Sequence, residues 1–217
     1  MARKTLNSSA YQAGWYLLMP RIIVSYVRIV EAVNYRVGRM AMYLIFVLMA
    51  ILMWSSISKT FFAPALWTLE TAQFVMVAYY LLGGPYSMQL NSHVRMDLVY
   101  GSWSIKTKAW VDAFTIFGLI FYLVILLQGA IGSTAYSLGQ PYNMGVYEFY
   151  GNLFTAFFTG GPDAAKEVLG FMERSATSFR PYLWPIKTIA TFGIFLMLLQ
   201  AIAVFFKDVA TIRGEEL

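Results

Sequence analysis

Residues 38–58 read GRMAMYLIFVLMAILMWSSIS, and this stretch decides the class of fold. The hydrocarbon core of a bilayer is about 30 Å thick, so a helix needs roughly 20 mostly apolar residues to cross it. Three further stretches meet this requirement, at residues 68–90, 110–136 and 184–206. The sequence therefore predicts an all-α membrane protein, a single domain over residues 1–217 with four transmembrane helices.

The composition agrees with a membrane protein. Hydrophobic residues make up 59% of the 217 and charged residues 12%, with a mean hydropathy of +0.60, whereas soluble domains carry about 25% charged residues. The chain has no cysteine, which excludes disulfides, thiolate metal sites and cysteine nucleophiles. In so apolar a chain, the formal charge of +5 indicates basic residues beside membrane spans and not a nucleic-acid partner. We also expect no cleavable signal peptide of the usual form.

The distribution of basic residues predicts the orientation. Those near the ends of the spans are Arg3, Lys4, Arg21, Arg28, Arg36 and Arg39 before the first, Arg95, Lys106 and Lys108 in the loop at 91–109, and Lys207 and Arg213 in the tail. In residues 137–183, acidic side chains offset the basic ones. Because basic loops stay in the cytoplasm, we predict that both termini and the 91–109 loop are cytoplasmic and that residues 137–183 lie outside.

Two further helices are predicted outside the spans. Residues 21–36, in the N-terminal extension 1–36, place polar side chains such as Arg21, Arg28 and Tyr35 on one helical face and isoleucines and valines on the other. Such a helix is expected to lie in the cytoplasmic interface, and the alternative is an ordinary packed helix. The residues expected to contact lipid headgroups are Arg21, Arg28, Arg36, Trp103 and Trp110. Outside, residues 161–175 predict a short surface helix that starts near Pro162 and Asp163.

The residues within the spans argue against a pump or an enzyme. No lysine, arginine, aspartate or glutamate falls near the centre of a predicted span, although such groups mark ion and substrate pathways. The main deeper polar residues are Gln128 and Gln200, for which we predict hydrogen bonds between helices. A single histidine cannot supply both axial ligands of a haem, and His93 with Asp97 is too few for zinc. We therefore predict no catalytic residue, no metal and no cofactor.

Residues 81–100, LLGGPYSMQLNSHVRMDLVY, pass from an apolar helix into a cluster of ionisable groups. The cluster consists of His93, Arg95 and Asp97, and its possible roles are a catalytic group, a docking element at the membrane surface, or a solvated loop. Before it, Gly83 and Gly84 are small enough to let another helix approach closely. Catalysis is the least favoured of the three roles.

Residues 66–100 resemble the small membrane subunit, DctQ-like, of tripartite ATP-independent periplasmic (TRAP) transporters. The family pattern has a glutamate just after a tryptophan, a Leu-Gly-rich stretch, His-Val-Arg-x-Asp, and then a basic loop before the third span. The matching residues are Trp67, Glu70, Leu82, Gly83, His93, Val94, Arg95, Asp97, Lys108, Ala109 and Asp112. The resemblance covers roughly residues 36–136 and 181–210.

The resemblance implies a multi-pass protein of the bacterial inner membrane that supports a transporter. In such systems a periplasmic binding protein captures an organic anion, a large membrane subunit moves it with sodium by an elevator motion, and the small subunit braces the stationary scaffold. The expected partners are therefore that large subunit, the binding protein and membrane lipids. The residues expected to contact a partner or to fix the structure are Trp67, Glu70, Gly83, Gly84, His93, Arg95, Asp97, Lys108 and Asp112.

Three points remain open at the level of sequence. Glu70 is expected to pair with a partner or with Lys59 at the outer surface. The aromatic residues of the 137–183 segment are expected either to contact a protein partner or to rest in the headgroup region. Two other classes of function also fit the composition, namely a membrane anchor of a respiratory or quinone complex and a self-contained four-span structural protein.

Overall fold

The computed structural model of the chain describes residues 21–90, 103 and 105–213. These residues form six helices, α1 (Arg21–Met42), α2 (Leu44–Phe61), α3 (Trp67–Gln89), α4 (Ile105–Ser137), α5 (Val146–Val168) and α6 (Trp184–Arg213). The all-α prediction is therefore confirmed for the part of the chain that the structure describes.

Within the described residues, three helical stretches are long and apolar enough to cross a bilayer. They are Arg21–Phe61, which joins α1 to α2, Trp110–Ser137 in α4 and Trp184–Arg213 in α6, with mean hydropathies of 2.2, 2.3 and 2.4. The 23-residue helix α3 is more polar and is not among them. The membrane helices are thus evident from length and composition, while a layout of four spans with one interfacial helix stays a prediction.

The long helices pack as an open row. α2 packs on α3, α3 on α6, and α6 on α4, whereas α2 makes no comparable contact with α4 or α6 among the described residues. A four-helix bundle buries a core between all its members, but this row leaves much of its two broad faces uncovered, apart from the part where α1 packs on α3 and α6. In α2, accordingly, Ser58 is the one buried residue.

The middle of the row is held by apolar packing and by close backbone approach. The buried residues of its core are Met88, Leu123, Ile194 and Ala201, from α3, α4 and α6. Pro85 has no N–H, so the carbonyl of Leu81 lacks its helical partner. Gly193 of α6 faces this carbonyl, and a Cβ there would lie 2.9 Å from the oxygen. The absent side chain at Gly193 therefore lets the backbones of α3 and α6 approach closely.

Helix α1 packs against the C-terminal parts of α3 and α6. Its buried residues recur at helical spacing and are Val27, Val30, Asn34, Gly38 and Ala41. Where it meets α3, a Cβ on Gly38 would lie 2.3 Å from the Cβ of Tyr86, so the glycine permits this contact. The side of α1 that carries these buried residues therefore forms its contact with the row.

The boundary between α1 and α2 differs from the prediction. Helix α1 was expected at residues 21–36 and the first span at 38–58, but α1 continues to Met42 and α2 runs to Phe61. The two meet at Tyr43, whose N–H donates to the carbonyl of Met40 over 3.1 Å. No proline interrupts residues 37–42, and Gly38 packs against Tyr86, so helix α1 continues past the predicted range 21–36.

The helix in the outer segment is longer than predicted and begins earlier. The expected range was 161–175, whereas α5 extends from Val146 to Val168. Gly161 has a φ of 74° and interrupts the helix, and Pro162 follows it. The prediction that a helical segment starts near Pro162 is therefore confirmed, but residues 146–160 form an additional helical segment that the sequence analysis missed.

Residues 169–183 do not continue this helix. They fold back as a short hairpin with an antiparallel bridge between Arg174 and Tyr182. The N–H of Ser175 donates to Pro181 over 2.9 Å, and the N–H of Leu183 donates to Glu173 over 3.1 Å. The prediction that the helix continues to residue 175 was wrong, because hydrogen bonds between the two arms of the hairpin replace helical ones.

Candidate partner and lipid interfaces

Helix α1 has three different sides. Its arginines Arg21, Arg28, Arg36 and Arg39 are exposed. The exposed apolar residues are Ile22, Ile29, Val33 and Met40, with exposed fractions of 81%, 63%, 40% and 74%. At 3.6 residues per turn, the apolar stripe lies about 100° from the centre of the arginine face and about 120° from the buried face. One helix therefore presents a protein-packed side, an apolar side and a cationic side.

Two polar residues of α1 turn toward α6 instead of toward solvent. Glu31 is half-buried and accepts a hydrogen bond from Nζ of Lys207. Asn34 donates from Nδ2 to Oε1 of Gln200 over 2.7 Å, and both residues are at most 1% exposed. The prediction that Gln200 bonds between helices is confirmed. Gln128 is exposed and has no such bond in the described part of the chain.

Glu70 is buried beneath the outer hairpin. It is 4% exposed, and Oγ of Ser175 donates to its Oε1 over 3.4 Å. Within the described residues, no ion pair joins Glu70 to Lys59, and Oε2 of Glu70 has no hydrogen-bond partner. In the described part of the chain the hairpin, and not Lys59, contacts Glu70, while pairing of Glu70 with a partner stays a prediction.

The hairpin over Glu70 is fastened to the ends of α4 and α6. Nζ of Lys187 lies 2.5 Å from Oε2 of Glu173, and the N–H of Glu173 donates to the carbonyl of Ser137 over 3.1 Å. Gly139 and Gly170 touch backbone to backbone, since a Cβ on Gly170 would lie 2.3 Å from the oxygen of Gly139. These contacts hold the hairpin in a defined position on the row.

The two predicted interface glycines of α3 face different surroundings. A Cβ on Gly84 would lie 2.5 Å from Cε of Met197, so Gly84 packs within this chain. A Cβ on Gly83 would meet nothing within 4 Å among the described residues. Gly83 lines a groove of ≈ 400 Å³ between α1 and α3, together with Tyr79, Tyr80 and Tyr86. Gly84 lines the same groove, but of the two only Gly83 has room for an added Cβ among the described residues.

The other predicted residues lie near the helix ends. Trp67 begins α3 and is 39% exposed, while Trp103 and Trp110 are 37% and 64% exposed. Lys108 and Asp112 stand four residues apart in the first turns of α4, and both are half-buried. The predicted cluster of His93, Arg95 and Asp97 lies outside the described residues.

Sequence reasoning missed Asn34 and Ser175, and it noted the aromatic residues of α5 without recognising the helix at residues 146–160 that aligns them. Asn34 had one available signal, because it stands at helical spacing from Val27 and Val30 on an otherwise apolar face. The aromatic residues of α5 also recur at helical spacing. Ser175 carries no comparable local signal, since its contact with Glu70 spans 105 residues.

Comparison with known proteins agrees with the resemblance in the sequence. The family model described as tripartite ATP-independent periplasmic transporters, DctQ component, matches residues 48–149. These residues form a DctQ-family domain. No curated protein and no solved structure gives a significant match to the chain.

The DctQ domain covers most of α2, all of α3 and α4, and the start of α5. The match and the apolar helices support a small membrane subunit of a TRAP transporter, a multi-pass protein of the inner membrane. This family consists of transporter components and not of enzymes, in line with the predicted lack of a catalytic residue. The match also favours transport over the respiratory-anchor and self-contained alternatives.

Proposed function

We propose that this chain braces the stationary scaffold of a large elevator-type membrane subunit, which moves an organic anion with sodium. A periplasmic binding protein delivers the anion to the complex. The observation that carries this proposal is the open row of α2, α3, α6 and α4. A row one helix thick encloses no interior, so a solute path through this chain alone has no walls.

The polar groups in the row support a bracing role. Asn34 and Gln200 bond to each other, and Thr134 bonds to Thr191 with 2.9 Å between their Oγ1 atoms. These groups connect helices of this chain. Transporters instead place ionisable groups and broken helices near the bilayer midplane.

The length of the first helical stretch supports an interfacial position for α1. Residues Arg21–Phe61 form 41 residues of helix, which at 1.5 Å per residue would reach about 60 Å, twice the hydrocarbon thickness. The arginines fall in α1 and the apolar run in α2. We therefore place α1 in the cytoplasmic interface, α2, α3, α4 and α6 across the membrane, and both termini in the cytoplasm.

The exposed faces of α2 and α3 are the surfaces proposed for the large subunit. α2 packs on α3 along one side and exposes large residues such as Phe46, Met53 and Trp54, at 63%, 64% and 48%. The groove at Gly83 adds a site of close helix approach beside them. Together they form a broad apolar face of the kind that marks a protein or lipid contact.

Reconstitution tests the proposal directly. Vesicles containing this chain alone are expected to show no sodium-dependent uptake of any organic anion, whereas vesicles with the large subunit and a loaded binding protein take it up. Omitting this chain from the complete system is expected to reduce uptake and the thermal stability of the large subunit. Uptake by this chain alone, or full activity and stability without it, would contradict bracing.

A further inference from the structure

Residues 146–160 of α5 have an exposed aromatic stripe. Tyr147, Phe154 and Phe158 are exposed at 71%, 61% and 80%, and their spacing of seven and four residues places them along one line of the helix. Between Glu148 and Asp163 the sequence has no charged residue. The stripe is therefore both apolar and uncharged.

The two remaining sides of this segment differ from the stripe. Asn152, Thr155 and Thr159 are exposed and share a polar side about 110° from it. Phe149 is fully buried at 0% and points to the opposite side, where the segment packs on the rest of the chain. An exposed apolar side next to a polar side is the pattern of a helix that lies in a bilayer interface.

The contact with α4 fixes the depth of this segment. Counting about 20 residues, or 30 Å, from Trp110 at the other end of α4 brings the outer hydrocarbon boundary close to residue 130. The hydroxyl of Tyr150 donates to the carbonyl of Ile131 over 3.2 Å. Burial raises the pKa of the Tyr150 phenol above its ordinary value, as expected where a hydroxyl is withdrawn from water. The segment thus meets α4 where the hydrocarbon ends.

We propose that residues 146–160 lie in the outer bilayer interface, with the stripe of Tyr147, Phe154 and Phe158 inserted into lipid. The occupant is a lipid surface because the stripe is uncharged, aromatic and level with the end of the hydrocarbon. Aromatic rings favour this region of a bilayer. A stripe reserved for a soluble partner would remain in water until that partner arrived, which is unfavourable for so large an apolar surface.

This placement gives the protein one interfacial helix on each side of the membrane. α1 meets α6 near Gln200 and Lys207, toward its C-terminal end, whereas α5 meets α4 at Ile131, toward the end that adjoins the start of α6. The polar side of α5, with Asn152 and Thr159, then faces the aqueous compartment outside. The inference holds whatever solute the complex carries and does not depend on bracing.

The lack of native cysteine allows a direct test. Single variants Phe154→Cys and Phe158→Cys report on the stripe, and Asn152→Cys and Thr159→Cys report on the polar side as matched controls. Each is labelled with a nitroxide in the full chain, together with its large subunit, in proteoliposomes. Oxygen collides preferentially with labels in lipid, and a nickel chelate with labels in water. We expect several-fold higher ratios of oxygen to nickel accessibility at 154 and 158 than at 152 and 159.

Three results would overturn the proposal. Equal nickel accessibility on both sides would mean that the stripe lies in water. Immobile labels at 154 and 158 that neither reagent reaches would mean that protein covers it. A loss of oxygen accessibility at 158 on adding the binding protein would make the stripe a docking surface. Because Phe158 is so exposed, a cysteine there leaves the core packing intact, and brominated-lipid quenching of a Phe158→Trp variant provides an independent measure, with quenching above that of the parent protein expected.

Discussion

Asn34 of α1 donates a 2.7 Å hydrogen bond to Gln200 of α6, and neither side chain is more than 1% exposed. The pair ties the basic helix α1 to the row of membrane helices at a point where water is excluded. Oδ1 of Asn34 and Nε2 of Gln200 have no further partner among the described residues. Removing either amide would therefore leave the other with no bond at all.

The first prediction concerns this pair. Asn34→Leu and Gln200→Leu should each destabilise the purified complex by about 1–2 kcal/mol, because a buried amide loses its partner. The double variant should be more stable than the sum of the two losses predicts. Thermal unfolding of all four proteins measures this coupling. Strictly additive losses would mean that the two side chains do not interact.

The second prediction concerns Glu70. Glu70→Ala should lower the yield of complex with the large subunit, because it removes a buried carboxylate that holds Ser175. Lys166→Ala is the matched control. Lys166 pairs with Asp163 at 2.8 Å, and the two side chains are 72% and 92% exposed, respectively. Exposed pairs contribute little to stability. Equal yields from co-purification of the two variants would contradict a structural role for Glu70.

The third prediction uses two glycines with different surroundings. Gly193→Ala should destabilise the chain by about 1–3 kcal/mol, because the new methyl group would crowd the Leu81 carbonyl. Gly83→Ala should leave stability nearly unchanged, since its Cβ would meet nothing within 4 Å in the described chain. If the groove receives a helix of the large subunit, Gly83→Leu should reduce recovery of that subunit without loss of this chain. Full recovery would exclude the groove as a contact.

The fourth prediction concerns the basic side of α1. Replacing Arg21, Arg28 and Arg36 by glutamine should weaken the attraction to anionic lipid by about 1 kcal/mol per arginine. The measurement is the amount of anionic phospholipid that co-purifies with the complex, compared in low and high salt. Arg180→Gln, in the exposed outer hairpin, is the control and should change this amount little. Retention that is unchanged by the triple variant would argue against an interfacial α1.

The sequence predicts the elements whose signal is local. The apolar stretches identify the membrane helices, and the period of residues 21–36 identifies α1 as amphipathic. Its apolar side nevertheless divides into two, since Val27 and Val30 are buried whereas Ile22 and Ile29 are exposed. Periodicity separates apolar from polar, but it does not separate a side that packs on protein from one that faces lipid.

Other features depend on contacts that are distant in sequence. Glu31 meets Lys207 across 176 residues and Glu70 meets Ser175 across 105. No spacing rule connects such partners. The sequence therefore suggested Lys59, which is close to Glu70 along the chain, and gave no indication of Ser175. The open row was equally hidden, because four apolar helices fit a bundle as well as a row. Residues 146–160 were overlooked for a different reason, since glycines at 151 and 160 weakened a helical pattern that their aromatic residues do show.

The row of helices has a consequence for how this chain tolerates change. In a row one helix thick, most side chains are on the surface, so few of them contribute only to the stability of this chain. On α2, Ser58 is the one buried position. Substitutions on this helix would therefore mainly change its contacts with an adjacent protein or with lipid. Damaging variants on α2 should therefore weaken the association of this chain with adjacent subunits while leaving its own fold intact.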